Sequence, residues 1–174
     1  MYSLFIKVTL LLLIVLQVSC SAHNQVILKQ DLPPDSQQSQ EIEKTSCKLS
    51  ESRNIIVQHA ISNLGRPYKW GGDSPTEGFD CSGLIVYTYQ KVDIYIPRTA
   101  NAQFSSGKPV IKKDLKPGDL VFFKNPTAQK VNHVGIFIGE NTFVHAPGQG
   151  RTVSYGYLTN PYFKKYYRGS RTYL

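Results

Sequence analysis

Phe79-Asp80-Cys81-Ser82-Gly83-Leu84-Ile85-Val86-Tyr87 joins a glycine-rich aromatic loop, Tyr68-Lys69-Trp70-Gly71-Gly72, to an unbroken apolar run. The run reads as the opening turns of a helix from about Ser82 to Val92, apolar nearly all round and therefore buried and central. A cysteine at the start of such a helix meets unpaired backbone N–H groups and the positive end of the helix dipole. Both favour thiolate over thiol, which makes Cys81 a candidate nucleophile. Asp80 and Ser82 each have two readings: either caps the helix or meets a substrate group.

Upstream, Ser52 to Leu64 reads as a helix with Ile55, Ile56, His59, Ala60 and Leu64 near one face, stopped by Gly65 and Pro67. His59 reads as a helix-face histidine without a role. Downstream, Lys116-Pro117-Gly118-Asp119 is a turn leading into the apolar strand Leu120–Phe123. Further strands are expected at Val131–Ile138, Thr142–Ala146 and Tyr166–Tyr173. Two helices followed by strands, without strand–helix alternation, predict an α+β fold over an antiparallel sheet.

Residues 131–138 and 142–146 flank Gly139-Glu140-Asn141. With those three as the loop, Ile138 pairs with Thr142, Phe137 with Phe143 and Gly135 with His145. Side chains alternate faces along a strand and paired residues share one, so His133 and His145 fall on the same side as diagonal neighbours. A two-residue loop would reverse that parity. The two imidazoles then suit a base and its orienting partner, the second histidine accepting the Nδ1 proton of the first.

Tyr68 either packs its ring beside Trp70 or points its hydroxyl, with the Cys81 N–H, at a developing oxyanion. One cysteine and two histidines are also possible zinc ligands, but spacings of 52 and 12 residues match no compact ligand motif. No cofactor motif is evident. Three cysteines are too few for a disulfide scaffold, and a Cys47–Cys81 bridge is the competing, inert use of the thiol.

The N-terminus has its own logic. Lys7 and the apolar run Val8–Val18 form a signal-peptide pattern, too short to span a bilayer, which predicts export. Leu16-Gln17-Val18-Ser19-Cys20 resembles a lipobox, with Leu16 one position further from the cysteine than usual. Processing is therefore expected at Cys20, as a lipidation site, or after Ala22. The organisation expected is a signal peptide over 1–20, a disordered polar tether over 21–50 and a catalytic domain over 51–174. From residue 51 on, 16 Lys and Arg face eight acids. Such a basic exported domain suits anionic wall polymers or lipid headgroups; no nucleic-acid-binding motif accompanies the charge.

Several segments together resemble the NlpC/P60 family of papain-like cysteine peptidases. They are Gly65–Gly72, Phe79–Leu84, Pro97-Arg98-Thr99-Ala100, Pro117–Phe123, His133–Gly139 and Phe143–Ala146, in the family's order. The resemblance covers about residues 52–173 and implies a catalytic helix packed on an antiparallel sheet. It further implies Cys81 as nucleophile, His133 as base, His145 as orienting residue and Tyr68 at the oxyanion. Trp70, Asp80, Ser82 and Arg98 are the candidate substrate-binding set, Arg98 either clamping a carboxylate or serving a structural role. The implied substrate is peptidoglycan, cut at D-γ-glutamyl-diaminopimelate or other diaminopimelate-containing bonds, or the lysine equivalents, without a cofactor. The implied setting is the periplasm, with the lipid anchor in the outer membrane; an envelope adaptor protein stays open as a further partner that the sequence does not identify. Two other functions stay open: a non-catalytic wall-binding lipoprotein, and an acyltransferase acting on lipid.

Overall fold

A computed structural model of the chain describes residues 34–174, with side chains described from residue 41. The signal-peptide pattern, Cys20 and residues 21–33 lie outside the described residues. Backbone contacts divide the chain between Gln37 and Gln38, and the sheet and its helices belong to the second unit, Gln38–Leu174.

Helix α1 runs Pro34–Ser62, so residues 34–50, expected as part of a structureless tether, are helical. Proline suits a first helical position, and the Glu, Gln and Lys that come after it are good helix formers. Burial plays no part there: residues 41–50 are all exposed, and Thr45 only returns its hydroxyl to the Glu41 carbonyl. The second half of α1 is different. Ile56 and Ala60 are fully buried, as the face read from the sequence requires. Arg53 on the same helix reaches the turn before the strand Leu120–Phe123, bonding the Pro117 carbonyl and Asp119 at 2.8 and 2.9 Å.

A two-stranded ribbon, β1 (Asp73–Ser74) with β2 (Gly78–Phe79), closes the glycine-rich loop and delivers the chain to α2 (Cys81–Gln90). Helix α2 is the central element, with Leu84, Ile85 and Tyr89 fully buried. Two short elements come next that the sequence reading passes over, α3 (Ala100–Ser106) and β3 (Lys108–Val110). Then come β4 (Leu120–Phe123), β5 (His133–Gly139), β6 (Thr142–His145), β7 (Ser154–Tyr157), α4 (Pro161–Tyr166) and β8 (Tyr167–Thr172). The β strands from β3 on form one antiparallel sheet in the order β3-β8-β4-β5-β6-β7.

Both faces of the sheet are covered, which explains the continuous rather than alternating apolar run of β4. Leu120, Phe122, Val134, Ile136 and Val144 join Ile56, Leu84 and Ile85 in the main core. Val121, Phe123, Phe137 and Phe143 form a second cluster with Leu158, against which Phe163 of α4 packs. Both helices α3 and α4 begin with side-chain caps, Thr99 and Asn160, the latter followed by Pro161. Those cap signals are present in the sequence; the elements they start are simply too short to show periodicity.

The β5–β6 hairpin departs from the expected loop in a way that preserves its consequence. Gly139, not Ile138, pairs with Thr142, so the turn contains only Glu140 and Asn141, at φ 48° and 58°. Two left-handed residues make the tight turn that matches strand twist. A bulge between Phe137 and Gly139 then absorbs one residue, restoring Phe137 opposite Phe143 and Ile136 opposite Val144. The bulge cancels the parity change that the shorter loop introduces.

Candidate active site

The N-terminus of α2 is held by one carboxylate. Asp80 is the N-cap, and its Oδ1 accepts from the Gly83 N–H at 2.7 Å and from the Ser82 hydroxyl at 3.1 Å. Its Oδ2 accepts from the Gly71 N–H at 3.0 Å, tying the glycine-rich loop to the helix start. Arg98 grips both oxygens, at 2.9 and 2.8 Å, and adds the Ser82 hydroxyl at 3.1 Å. Burial works against the Asp80 charge, yet Arg98, the Gly83 N–H and Ser82 hold its carboxyl below the usual value. Asp80, Ser82 and Arg98, all expected near substrate, do line the cleft but are bonded chiefly to one another. Close approach makes this corner specific: a Cβ on Gly83 would collide with the Gly72 carbonyl.

Cys81 therefore begins α2 as expected, with a free thiol that excludes the Cys47–Cys81 bridge. Its Sγ makes a long hydrogen-bond contact to the Asn132 carbonyl, at 3.9 Å. Its protonation differs from the expectation. Burial, seconded by the Asp80 carboxylate, pushes the thiol up to about 11, outweighing backbone N–H groups that favour thiolate. The resting side chain is a neutral thiol.

The two histidines meet at the mouth of β5 and end of β6. Nε2 of His133 and Nδ1 of His145 are 2.7 Å apart. The sequence reading puts this bond on the Nδ1 of His133; it is made by Nε2, which leaves Nδ1 as the nitrogen not committed to His145. Aromatic rings enclose the pair. Phe123 lies 6.0 Å from His133, and Phe143 and Phe163 lie 5.0 and 5.4 Å from His145, centroid to centroid. Phe143 fits because Gly156 on β7 has no Cβ to strike its ring. Burial lowers His133 to about 4; burial, with the charges of His133 and Arg151, lowers His145 to about 3. Both imidazoles are neutral at pH 7.

Cys81, His133 and His145 line one cleft of about 1100 Å³, with Tyr68 and Trp70 on its wall. Tyr68 is half-buried, and burial, then the Cys81 and Asp80 charges, raise its phenol, keeping it protonated and able to donate. Trp70 stands 83% exposed at the rim rather than packed on Tyr68. Among the described residues no group of three or more His, Cys, Asp or Glu is arranged to hold a metal ion. Sequence reasoning does not single out Asn132, Phe163 or Arg151. Arg151 follows Pro147-Gly148-Gln149-Gly150, a turn signal that marks a loop but not its place beside His145.

A sequence model described as the NlpC/P60 family matches residues 65–172. The chain is 37% identical over 127 residues to the murein DD-endopeptidase MepH of Escherichia coli, covering 71% of this chain and 47% of that protein. It is 40% identical over 117 residues to the gamma-DL-glutamyl hydrolase of Bacillus subtilis, covering 67% and 28%. An NlpC/P60 family protein from Bacillus cereus superposes with a TM-score of 0.66 at 36% identity, over 70% of this chain and 40% of that one. The NlpC/p60 domain of the peptidoglycan hydrolase SagA gives 0.59 at 32% identity, over 69% and 97%. The chain spans about half or less of the length of these two curated relatives.

Proposed function

This chain belongs to the NlpC/P60 family, and from that premise we propose that it is a cysteine endopeptidase that cuts peptidoglycan stem peptides or their cross-links. The observation that carries the reading is the convergence on one cleft of a helix-start thiol and a hydrogen-bonded histidine pair. The names of the relatives, a murein endopeptidase and a glutamyl hydrolase, supply the substrate class.

The neutral starting state sets the order of events. Nδ1 of His133 is the acceptor for the thiol proton, so His133 carries its own proton on Nε2 and donates it to Nδ1 of His145. As Sγ of Cys81 bonds to the scissile carbonyl carbon, its proton passes to His133, and the oxyanion is met by the Cys81 N–H and the Tyr68 hydroxyl. His133 then protonates the leaving amine, the C–N bond breaks, and an acyl-enzyme remains. A water, deprotonated by His133, attacks that thioester; the acid is released and the proton returns to sulfur. Asp80, Ser82 and Arg98 position the helix start and, with Trp70, face the acyl side of the substrate.

The same reading covers the N-terminal segment: residues 1–20 act as a signal peptide, Cys20 takes the lipid, and the domain works in the periplasm from an outer-membrane anchor. Supporting it are the wall-hydrolase names of the relatives and the apolar run before Cys20. The test is digestion of purified murein sacculi by the wild-type domain and by Cys81→Ala, with fragments analysed by mass spectrometry. New amino termini at diaminopimelate or lysine are expected from wild type alone; identical fragment patterns would sink the hydrolase reading. Retention of Cys20→Ala in the membrane fraction would sink the lipid anchor.

A further inference from the structure

Two arginines line the cleft, and they are in opposite electrostatic states. Arg98 is neutralised, both terminal nitrogens being bonded to the Asp80 carboxylate. Arg151 has no hydrogen bond or ion pair from its guanidinium among the described residues, although its backbone is firmly placed. Its N–H donates to the Gly148 carbonyl at 3.1 Å, and its own carbonyl accepts from the Tyr68 N–H at 2.9 Å. Among the described residues Asp80 is the one carboxylate on the cleft wall, so with Arg98 cancelling it the cleft keeps the positive charge of Arg151. That charge lies near enough to be felt by His145, and Arg151 and that histidine together line a second recess of about 430 Å³.

Position relative to the nucleophile gives the charge a meaning. His133 hands a proton to the departing amine, so the residue carrying that amine lies on the histidine side of Cys81. Arg151 stands on that histidine side: the second recess is lined by His145, Phe163 and Arg151 but not by Asp80, Cys81 or Arg98. Diaminopimelate differs from lysine by one carboxylate, borne on the side-chain carbon that holds the second amine. Whether the amine released comes from a D-γ-glutamyl bond or from a cross-link, a diaminopimelate leaving residue carries this carboxylate free, and lysine does not.

We propose that Arg151 binds the free carboxylate of a diaminopimelate residue on the leaving-amine side of the cleft and so selects diaminopimelate over lysine. This rests on the hydrolase reading of the site. An arginine fork presents two parallel N–H groups to a carboxylate, and the protein has left them unspent. Because the guanidinium is exposed, the selection is modest, about two- to fivefold, and it weakens with salt.

The test uses synthetic stem peptides matched except for diaminopimelate or lysine at the leaving residue, made in both the D-γ-glutamyl and the cross-linked form. With wild type, kcat/KM for diaminopimelate is expected to exceed that for lysine by about two- to fivefold. Arg151→Gln should remove that ratio by lowering the diaminopimelate rate while leaving the lysine rate within about twofold, and Arg151→Lys should restore part of it. Equal rates on both peptides with wild type, or an equal loss on both with Arg151→Gln, would overturn the proposal. Calorimetric binding to Cys81→Ala separates it from the underlying reading. No turnover by wild type, but tighter binding of diaminopimelate peptide that Arg151→Gln abolishes, supports Arg151 and refutes the hydrolase. Neither turnover nor a binding preference overturns both.

Discussion

Nε2 of His133 and Nδ1 of His145 stand 2.7 Å apart inside an aromatic enclosure, and this single bond orients the imidazole that faces the cleft. An imidazole partner holds His133 without adding the negative charge a carboxylate would bring. The pair therefore fixes geometry more than it stabilises an imidazolium, and the consequences for activity differ at the two positions.

His133→Ala should lower kcat by about 10³-fold, the ordinary worth of a general acid–base. His145→Ala should cost less, about 10- to 100-fold in kcat with KM little changed, since it only releases the ring it orients. His145→Gln should recover part of that loss, because its amide oxygen can accept the same Nε2 proton. Steady-state kinetics on one peptide substrate checks all three.

The resting thiol, pushed up to about 11 by burial and the Asp80 carboxylate, predicts slow alkylation at neutral pH. The thiolate fraction at pH 7 is on the order of 10⁻⁴, so the iodoacetamide rate should rise about tenfold per pH unit between 7 and 10. A flat rate from pH 6 upward would instead reveal a preformed thiolate–imidazolium pair.

Acid should destabilise the fold through the histidine pair. In the unfolded chain both imidazoles take protons near pH 6.5, whereas burial holds them to about 4 and 3 in the folded state. Between pH 6.5 and about 3 the unfolded state binds more protons, so stability rises with pH and is lost as pH falls through that window. Urea midpoints at pH 7, 6 and 5 should decline in that order, and less steeply in His133→Gln.

Asp80 should matter more to stability than a surface ion pair does. Its oxygens receive the Gly83 and Gly71 N–H groups as well as Arg98. Asp80→Ala removes the cap and leaves Arg98 unpaired, at a cost of about 2 kcal/mol. Arg98→Ala in the Asp80→Ala background should then cost little further, a non-additivity that a double-mutant cycle by urea denaturation measures.

Gly83→Ala should disturb the site without touching any reacting group. The added Cβ meets the Gly72 carbonyl, which is backbone and cannot swing away. Loss of about 2 kcal/mol is expected, with activity falling further than stability because Cys81 moves with the helix start. Normal kinetics and an unchanged melting temperature in Gly83→Ala would show that the loop and helix are not in contact.

Much of the site is legible in the chain because its signals are local. A cysteine after an aspartate and before an apolar run announces a helix start, and strand alternation puts His133 and His145 on one face. The register tolerates a different loop: the turn holds two residues instead of three, and the bulge before Gly139 compensates. Such a bulge is set by how the hairpin twists against its neighbours, so no count along the sequence reveals it. The helical stretch 34–50 escapes the sequence reading for the opposite reason. It buries nothing among its described side chains, and polar helix formers without an apolar stripe read as linker.

Chain order alone specifies which residues converge: Cys81 at a helix start, the histidine pair on a hairpin and the family motifs around them. Tertiary packing sets their chemical state. Burial turns Cys81 into a resting thiol and both histidines into neutral imidazoles, and desolvation depends on neighbours far away in the chain. Packing likewise separates two arginines that look alike in the sequence. Arg98 is consumed by Asp80, while Arg151 is carried beside Tyr68 and His145 with its charge unspent. Charge and its neutralisation are properties of distances in space, and only the folded chain supplies those distances.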